Sequence, residues 1–84
     1  MNDLEFDVLD ELYFVISYPD LAEACGLSDE ELIATLQDLY QKGWIKVLNS
    51  VDEEVKSSEM DLTADFAAYY YLATKNGLLA HNRA

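Results

Sequence analysis

Residues 19–45 read PDLAEACGLSDEELIATLQDLYQKGWI, and the fold follows from how this stretch divides. Pro19 suits the opening of a helix, because its φ is already helical and its missing N–H is one the first turn leaves unused. A short helix is therefore expected over 19–25, with Leu21, Ala24 and Cys25 facing inward. Gly26 stops it, since glycine takes a left-handed cap position without steric cost. A longer helix follows. Ser28 and Glu31 stand at capping-box spacing, where each side chain accepts the other's free backbone N–H. Leu32, Ile33, Leu36, Leu39 and Tyr40 recur at the spacing of one apolar stripe, and Gly43 closes the helix. Joined by Gly26-Leu27-Ser28, the two helices make a helix-turn-helix over 19–42.

Upstream, residues 3–17 are expected to form the first helix. Leu4, Val8, Leu9, Leu12, Val15 and Ile16 fall on one stripe, Asn2 or Asp3 is placed to cap it, and its early acids suit the helix dipole. Phe6 and Tyr13 flank the stripe and Phe14 lies off it, so the helix is apolar on more than one side. Downstream of Gly43 the period changes. Residues 44–49 (WIKVLN) and 69–73 (YYYLA) are rich in β-branched and aromatic side chains and read as strands. Residues 50–68 between them read as loop, polar and acidic from Ser50 to Asp61, with Thr63 placed to cap a single turn carrying Phe66. Thr74 caps a C-terminal helix over 74–82, interrupted or ended near Gly77. The expected fold class is mainly α with a small antiparallel β-wing. Its order is helix, helix, helix, strand, long acidic loop, strand, helix, as one domain over 1–84 with the wing at 44–73.

Eighty-four residues leave room for one compact core, and 51% apolar residues can fill it. No apolar run approaches the ~20 residues that a bilayer span requires. The first residues carry Asp3, Glu5 and Asp7 and no base, which reads as neither a secretory signal nor a transit peptide. The single Cys25 has no disulfide partner in the chain, so a cytoplasmic setting is the expectation. Charge is the strongest bulk feature. Seventeen acids against five Lys and Arg give −12. Such a surface repels phosphate backbones and anionic lipid, favours cationic or apolar partners, and also serves plain solubility.

Two passages resemble the winged-helix superfamily. Gly26-Leu27-Ser28, followed by Leu32, Leu36, Leu39, Gly43, Trp44 and Ile45, resembles its passage from turn through recognition helix to first wing strand. Thr74-Lys75-Asn76-Gly77 resembles the T-x-x-G that follows the second wing strand in MarR-like and PadR-like regulators. The resemblance implies a winged helix whose third helix reads DNA while a basic wing touches phosphate. The charges depart from that use. Residues 28–42 carry Asp29, Glu30, Glu31 and Asp38 against Lys42 alone, and residues 49–67 carry six acids against Lys56. The family's wing arginine has no counterpart. The outward residues of the third helix are expected to be Glu30, Ala34, Gln37, Asp38 and Gln41. Gln37 and Gln41 are able to pair with adenine edges, but DNA affinity rests largely on neutralised phosphates, which acids do not supply.

Protein contact is the leading reading of function: a small regulatory or adaptor domain, with a DNA-binding regulator as the alternative. Because the resemblance places Ala73 in the buried position before the threonine, Tyr69 and Tyr71 face inward and Tyr70 and Leu72 outward. A one-residue slip would exchange the tyrosine sets. Trp44, Leu48, Tyr70 and Leu72 then form a candidate interface in an acidic rim, unless Met60, Leu62 and Phe66 fold back over it. Phe6, Tyr13 and Phe14 form a candidate homodimer face, unless the C-terminal helix covers them. Catalysis, cofactors and metal ions have no support in the pattern. His81 is the lone histidine and is read as complementing a helix dipole, and Cys25 as a small core hydrophobe.

Overall fold

The computed structural model describes residues 1–84 as five α-helices and a four-stranded antiparallel sheet. Helix α1 (Asp3–Asp10) starts where Asn2 and Glu5 exchange capping bonds: Glu5 N–H donates to Asn2 Oδ1 at 2.8 Å and Asn2 N–H to Glu5 Oε1 at 3.1 Å. It ends seven residues before the helix expected over 3–17. The reason is tertiary. Ala73 N–H takes the Leu12 carbonyl at 2.9 Å, and Ile16–Ser17 become strand β1, paired with Tyr71 and Tyr70. Val15 and Ile16 are β-branched and lose little by extending. Val8, Leu9 and Leu12 remain fully buried.

Helix α2 (Tyr18–Cys25) is capped by Ser17, whose Oγ accepts from Asp20 N–H, and stops at Gly26 with φ +66°. Its inward residues are Tyr18 and Leu21. Ala24, expected inside, is exposed, and Cys25 is half-buried. Helix α3 (Asp29–Gln41) has the Ser28–Glu31 capping box and buries Leu32, Leu36 and Leu39 completely. At roughly 1.5–3 kcal/mol for each fully buried aliphatic side chain, this stripe anchors α3 in the helix layer, as Val8 and Leu9 do for α1.

Strand β2 (Ile45–Ser50) turns into a two-residue strand, β3 (Glu53–Glu54). Helix α4 (Leu62–Asp65), a 3-10 turn at Phe66–Ala68, strand β4 (Tyr70–Ala73) and helix α5 (Lys75–Arg83) follow. The sheet order is β1-β4-β2-β3. Ile45 lies opposite Ala73, Lys46 opposite Leu72, Val47 opposite Tyr71 and Leu48 opposite Tyr70. One face therefore turns Val47 and Tyr71 into the core, both fully buried, while Lys46, Leu72 and Tyr70 stay half-buried on the other.

The stretch 50–68 is not the plain loop expected. Val55 and Leu62 belong to the buried core, and Met60 and Phe66 pack against it. Two tyrosines of the sheet hold the stretch: Tyr71 Oη donates to the Phe66 carbonyl at 2.8 Å, and Asp61 N–H donates to Tyr69 Oη at 3.2 Å. Asp61, and not Thr63, caps α4: its Oδ1 accepts from the Thr63 and Ala64 N–H groups and from the Thr63 hydroxyl. These bonds hold the Asp61 carboxyl below its ordinary value, the Thr63 hydroxyl contributing most.

Helix α5 runs unbroken through Gly77. Thr74 fixes its start. Thr74 N–H donates to the Trp44 carbonyl at 2.9 Å, the Thr74 hydroxyl donates to the Gly43 carbonyl at 2.7 Å, and Gly77 N–H donates back to Thr74 Oγ1 at 3.1 Å. Gly77 lies so close to the Trp44 carbonyl that any Cβ there would collide with it. Both ends of the Thr74–Gly77 motif thus anchor one helix on one strand entry. No helix is long and apolar enough to cross a membrane.

Candidate functional site

Three surfaces hold the residues singled out from the sequence. The first is the outside of the sheet. Leu48, expected on it as an exposed contact, is only 6% exposed, between its neighbours Tyr70 and Glu54. Tyr70 and Leu72 remain half-buried. Leu62 is buried in the core, and half-buried Met60 and Phe66 pack against that core, with Phe66 edge-on to Tyr18 at 4.8 Å.

The second surface gathers Trp44, which leaves the expected patch. It lines a cleft of about 490 Å³ with Phe6, Met1, Ala80 and Arg83. One residue of the candidate interface, Trp44, and one of the candidate dimer face, Phe6, therefore border the same cleft. Lys42 stands 4.8 Å above the Trp44 ring and pairs with Glu5 at 2.5 Å. Glu5 is almost fully buried. Burial pushes its carboxyl up, but hydrogen bonds from Lys42 and from Asn2 N–H outweigh it, so the group is held below its ordinary value. The rest of the candidate dimer face is divided. Phe6 stacks on His81 with ring centres 4.2 Å apart, and the Tyr13 hydroxyl meets His81 Nδ1 at 2.8 Å and Asn82 Oδ1 at 3.0 Å. Helix α5 thus covers Phe6 and engages Tyr13, while Phe14 is 85% exposed. His81 lies in the last turn of α5, as its place near the C-terminus suggested, but it is buried between α1 and Tyr13 with Asp10 Oδ1 3.4 Å from Nε2.

The third surface is the outward side of α3. Glu30, Ala34, Asp38 and Gln41 are exposed and Gln37 is half-buried. Gln37, Asp38, Tyr40 and Gln41 form one wall of a cleft of about 410 Å³, and residues 60–63 form the other. The sequence reading missed this second wall, because the apolar pattern that marks it is only two residues long and lies in an acidic stretch. The alternation of polar Asp61 and Thr63 with apolar Met60 and Leu62 was the available signal. No base lines the cleft. Asp38 makes no ion pair, and neither glutamine side chain is used by the protein's own hydrogen bonds.

Cys25 borders a small cleft with Asp7, Asp10 and Glu11. Burial, then the Glu11 and Asp7 carboxylates, push its thiol up to about 11. A thiol so held is a poor nucleophile at neutral pH. No three His, Cys, Asp or Glu side chains are grouped to hold a metal ion. Comparison of the chain with protein-family models, curated proteins and solved structures returned no match.

Proposed function

We propose that this chain is a winged-helix domain that acts in the cytoplasm as a regulatory or adaptor module, through contacts with protein and not through catalysis. The order of elements supports the fold: α1, a short β1, the α2–α3 helix-turn-helix, then β2 and β4 paired beside β1, then α5. The observation that carries the function is the outward side of α3. A helix that reads a major groove needs a clear approach and cations beside it to meet phosphate. Here Glu30 and Asp38 face out, and the 60–63 wall with Asp61 flanks the face at Gln37 and Gln41. Half-buried Trp44, Tyr70 and Leu72 supply apolar and aromatic surface of the kind protein interfaces use.

A gel-shift with random-sequence duplex DNA at low salt tests the reading, and no shift is expected. A shift that collapses steeply as salt is added would reverse it in favour of a DNA-binding regulator. The positive arm is capture of a partner from native extract by the wild-type chain and its loss with Trp44→Ala.

A further inference from the structure

We propose that the cleft between α3 and residues 60–63 is a docking groove for an extended, basic segment of a partner protein. This rests on the adaptor reading above and names the chemistry of the partner. The cleft has the size of a ligand site, at about 410 Å³. It is also built before anything binds. Leu62 is buried in the core, Met60 packs on it, Asp61 N–H is held by the buried Tyr69, and the Asp61 side chain is locked into the α4 cap. A preformed wall spares the ordering that a loop would need on binding.

The groups facing the cleft select the occupant. Gln37 and Gln41 are one helical turn apart, so their carboxamides sit side by side. Each offers donors and an acceptor, neither is engaged within the chain, and together they match the alternating N–H and C=O of an extended backbone. Tyr40, Met60 and Leu62 give an apolar floor for one side chain of that segment. The charged residues on the two walls are Asp38 and Asp61, both acids. A second, smaller cleft shares Tyr40 and is bordered by Glu54, Val55, Lys56 and Ser57, so Lys56 lines that cleft and not the first, while Lys42, next to Gln41, is paired with Glu5. A second copy of this chain would bring its own charge of −12 against these acids, and a nucleic acid or anionic membrane would meet the same repulsion. Lysine or arginine alternating with apolar residues satisfies acids, amides and floor together.

The probe is a pool of blocked hexapeptides with lysine or arginine at alternate positions and mixed apolar residues between. Its control is the same pool with glutamate replacing the bases. Each is titrated into the ¹⁵N-labelled full chain at physiological salt, and a duplex DNA of random sequence forms a third arm. The basic pool is expected to shift the Gln37 and Gln41 carboxamides and the Thr63 N–H saturably, and the acidic pool is not. In the double variant Gln37→Ala, Gln41→Ala one exposed and one half-buried carboxamide are removed, and an unchanged circular dichroism spectrum confirms that the fold is kept. The double variant is expected to weaken binding roughly thirtyfold, as the loss of two neutral hydrogen bonds of about 1 kcal/mol each implies. Basic-pool shifts scattered over the acidic surface and indifferent to the double variant would overturn the groove, as would no shift at all. Both leave the adaptor reading standing. Duplex DNA shifting the same carboxamides would overturn the adaptor reading and the groove with it.

Discussion

Replacing Gly77 with alanine sets two physical effects directly against each other. In the interior of an ordinary helix, glycine to alanine stabilises by about 1 kcal/mol, because glycine loses more backbone freedom on folding. Helix α5 is regular through Gly77, whose φ is not left-handed, so local propensity alone predicts a gain. The environment predicts a loss. The added Cβ would overlap the carbonyl oxygen and carbon of Trp44, which are backbone atoms in a paired segment and cannot swing away as a flexible side chain does. Relief requires α5 to lift from the strand entry. Overpacking of this kind costs about 1–3 kcal/mol. Lifting also stretches the Thr74 N–H bond to the Trp44 carbonyl and the Thr74 hydroxyl bond to the Gly43 carbonyl, each worth about 1 kcal/mol net. The collision outweighs the propensity gain, and Gly77→Ala is expected to lose about 3 kcal/mol. For a domain of this size that lowers the melting temperature by roughly 12–24 °C. Urea unfolding followed by circular dichroism measures it, with Asn76→Ala on the exposed side of the same turn as control, expected within about 0.5 kcal/mol of wild type. A Gly77→Ala protein as stable as wild type would refute the close approach of α5 to Trp44, and with it the physical account of the Thr74–Gly77 motif.

Two further outcomes follow from ionisable groups. Lys42→Met leaves Glu5 buried without its cation. Removing one partner of a fully buried pair costs about 3–5 kcal/mol, and since Lys42 is 43% exposed we expect about 2 kcal/mol at pH 7. In wild type the depressed Glu5 carboxyl contributes stability that is present above its unfolded pKa and lost as pH falls through the folded value. Without Lys42 burial dominates, so the variant's deficit should shrink between pH 7 and pH 4; an equal deficit at both, by urea unfolding, would contradict the pair. Cys25, with its thiol pushed up to about 11 from an ordinary 9.0, should react with a thiol reagent at pH 8 roughly a hundredfold more slowly in the folded chain than in denaturant. Equal rates would place the thiol outside the acidic cleft.

The parts of the fold that could be read from sequence are those set by neighbours in the chain. The Ser28–Glu31 box, the Leu32–Leu36–Leu39 stripe and the Gly26 stop are local, and α3 runs within a residue of the range they mark. What could not be read is set by contacts across the chain. The stripe Leu4 to Ile16 is helical by period, yet α1 ends at Asp10 because Ala73 N–H claims the Leu12 carbonyl and β4 needs an edge partner. Val55, Met60, Leu62 and Phe66 share no single period; Val55 is placed by its N–H bond to the Val47 carbonyl, and residues 61 and 66 by the Tyr69 and Tyr71 hydroxyls, contacts that no local window of sequence marks. The site followed the same division. The exposure of Glu30, Ala34, Asp38 and Gln41 comes from helical phase alone. The cleft that Trp44 and Phe6 share is bordered by Ala80 and Arg83 of α5, and Leu48 is buried between its cross-strand neighbours although its facing is outward.

The segment that eluded sequence reading also changes what α3 offers a partner. Without residues 60–63, the outward face of α3 would be an open helix surface with two glutamines a turn apart, compatible with a base edge as well as a peptide. With them, the same glutamines lie in a cleft whose far wall carries Asp61, and Asp61 cannot be relieved of its charge cheaply, because its carboxylate caps α4. Neutralising it would loosen the cap that helps hold Leu62 in the core. The negative wall is thus tied to the stability of the segment that forms it. In the proposed groove a basic ligand would meet a charge that the fold itself maintains. A cation set against that carboxylate would leave the cap as it is, so binding needs no rearrangement of residues 60–65.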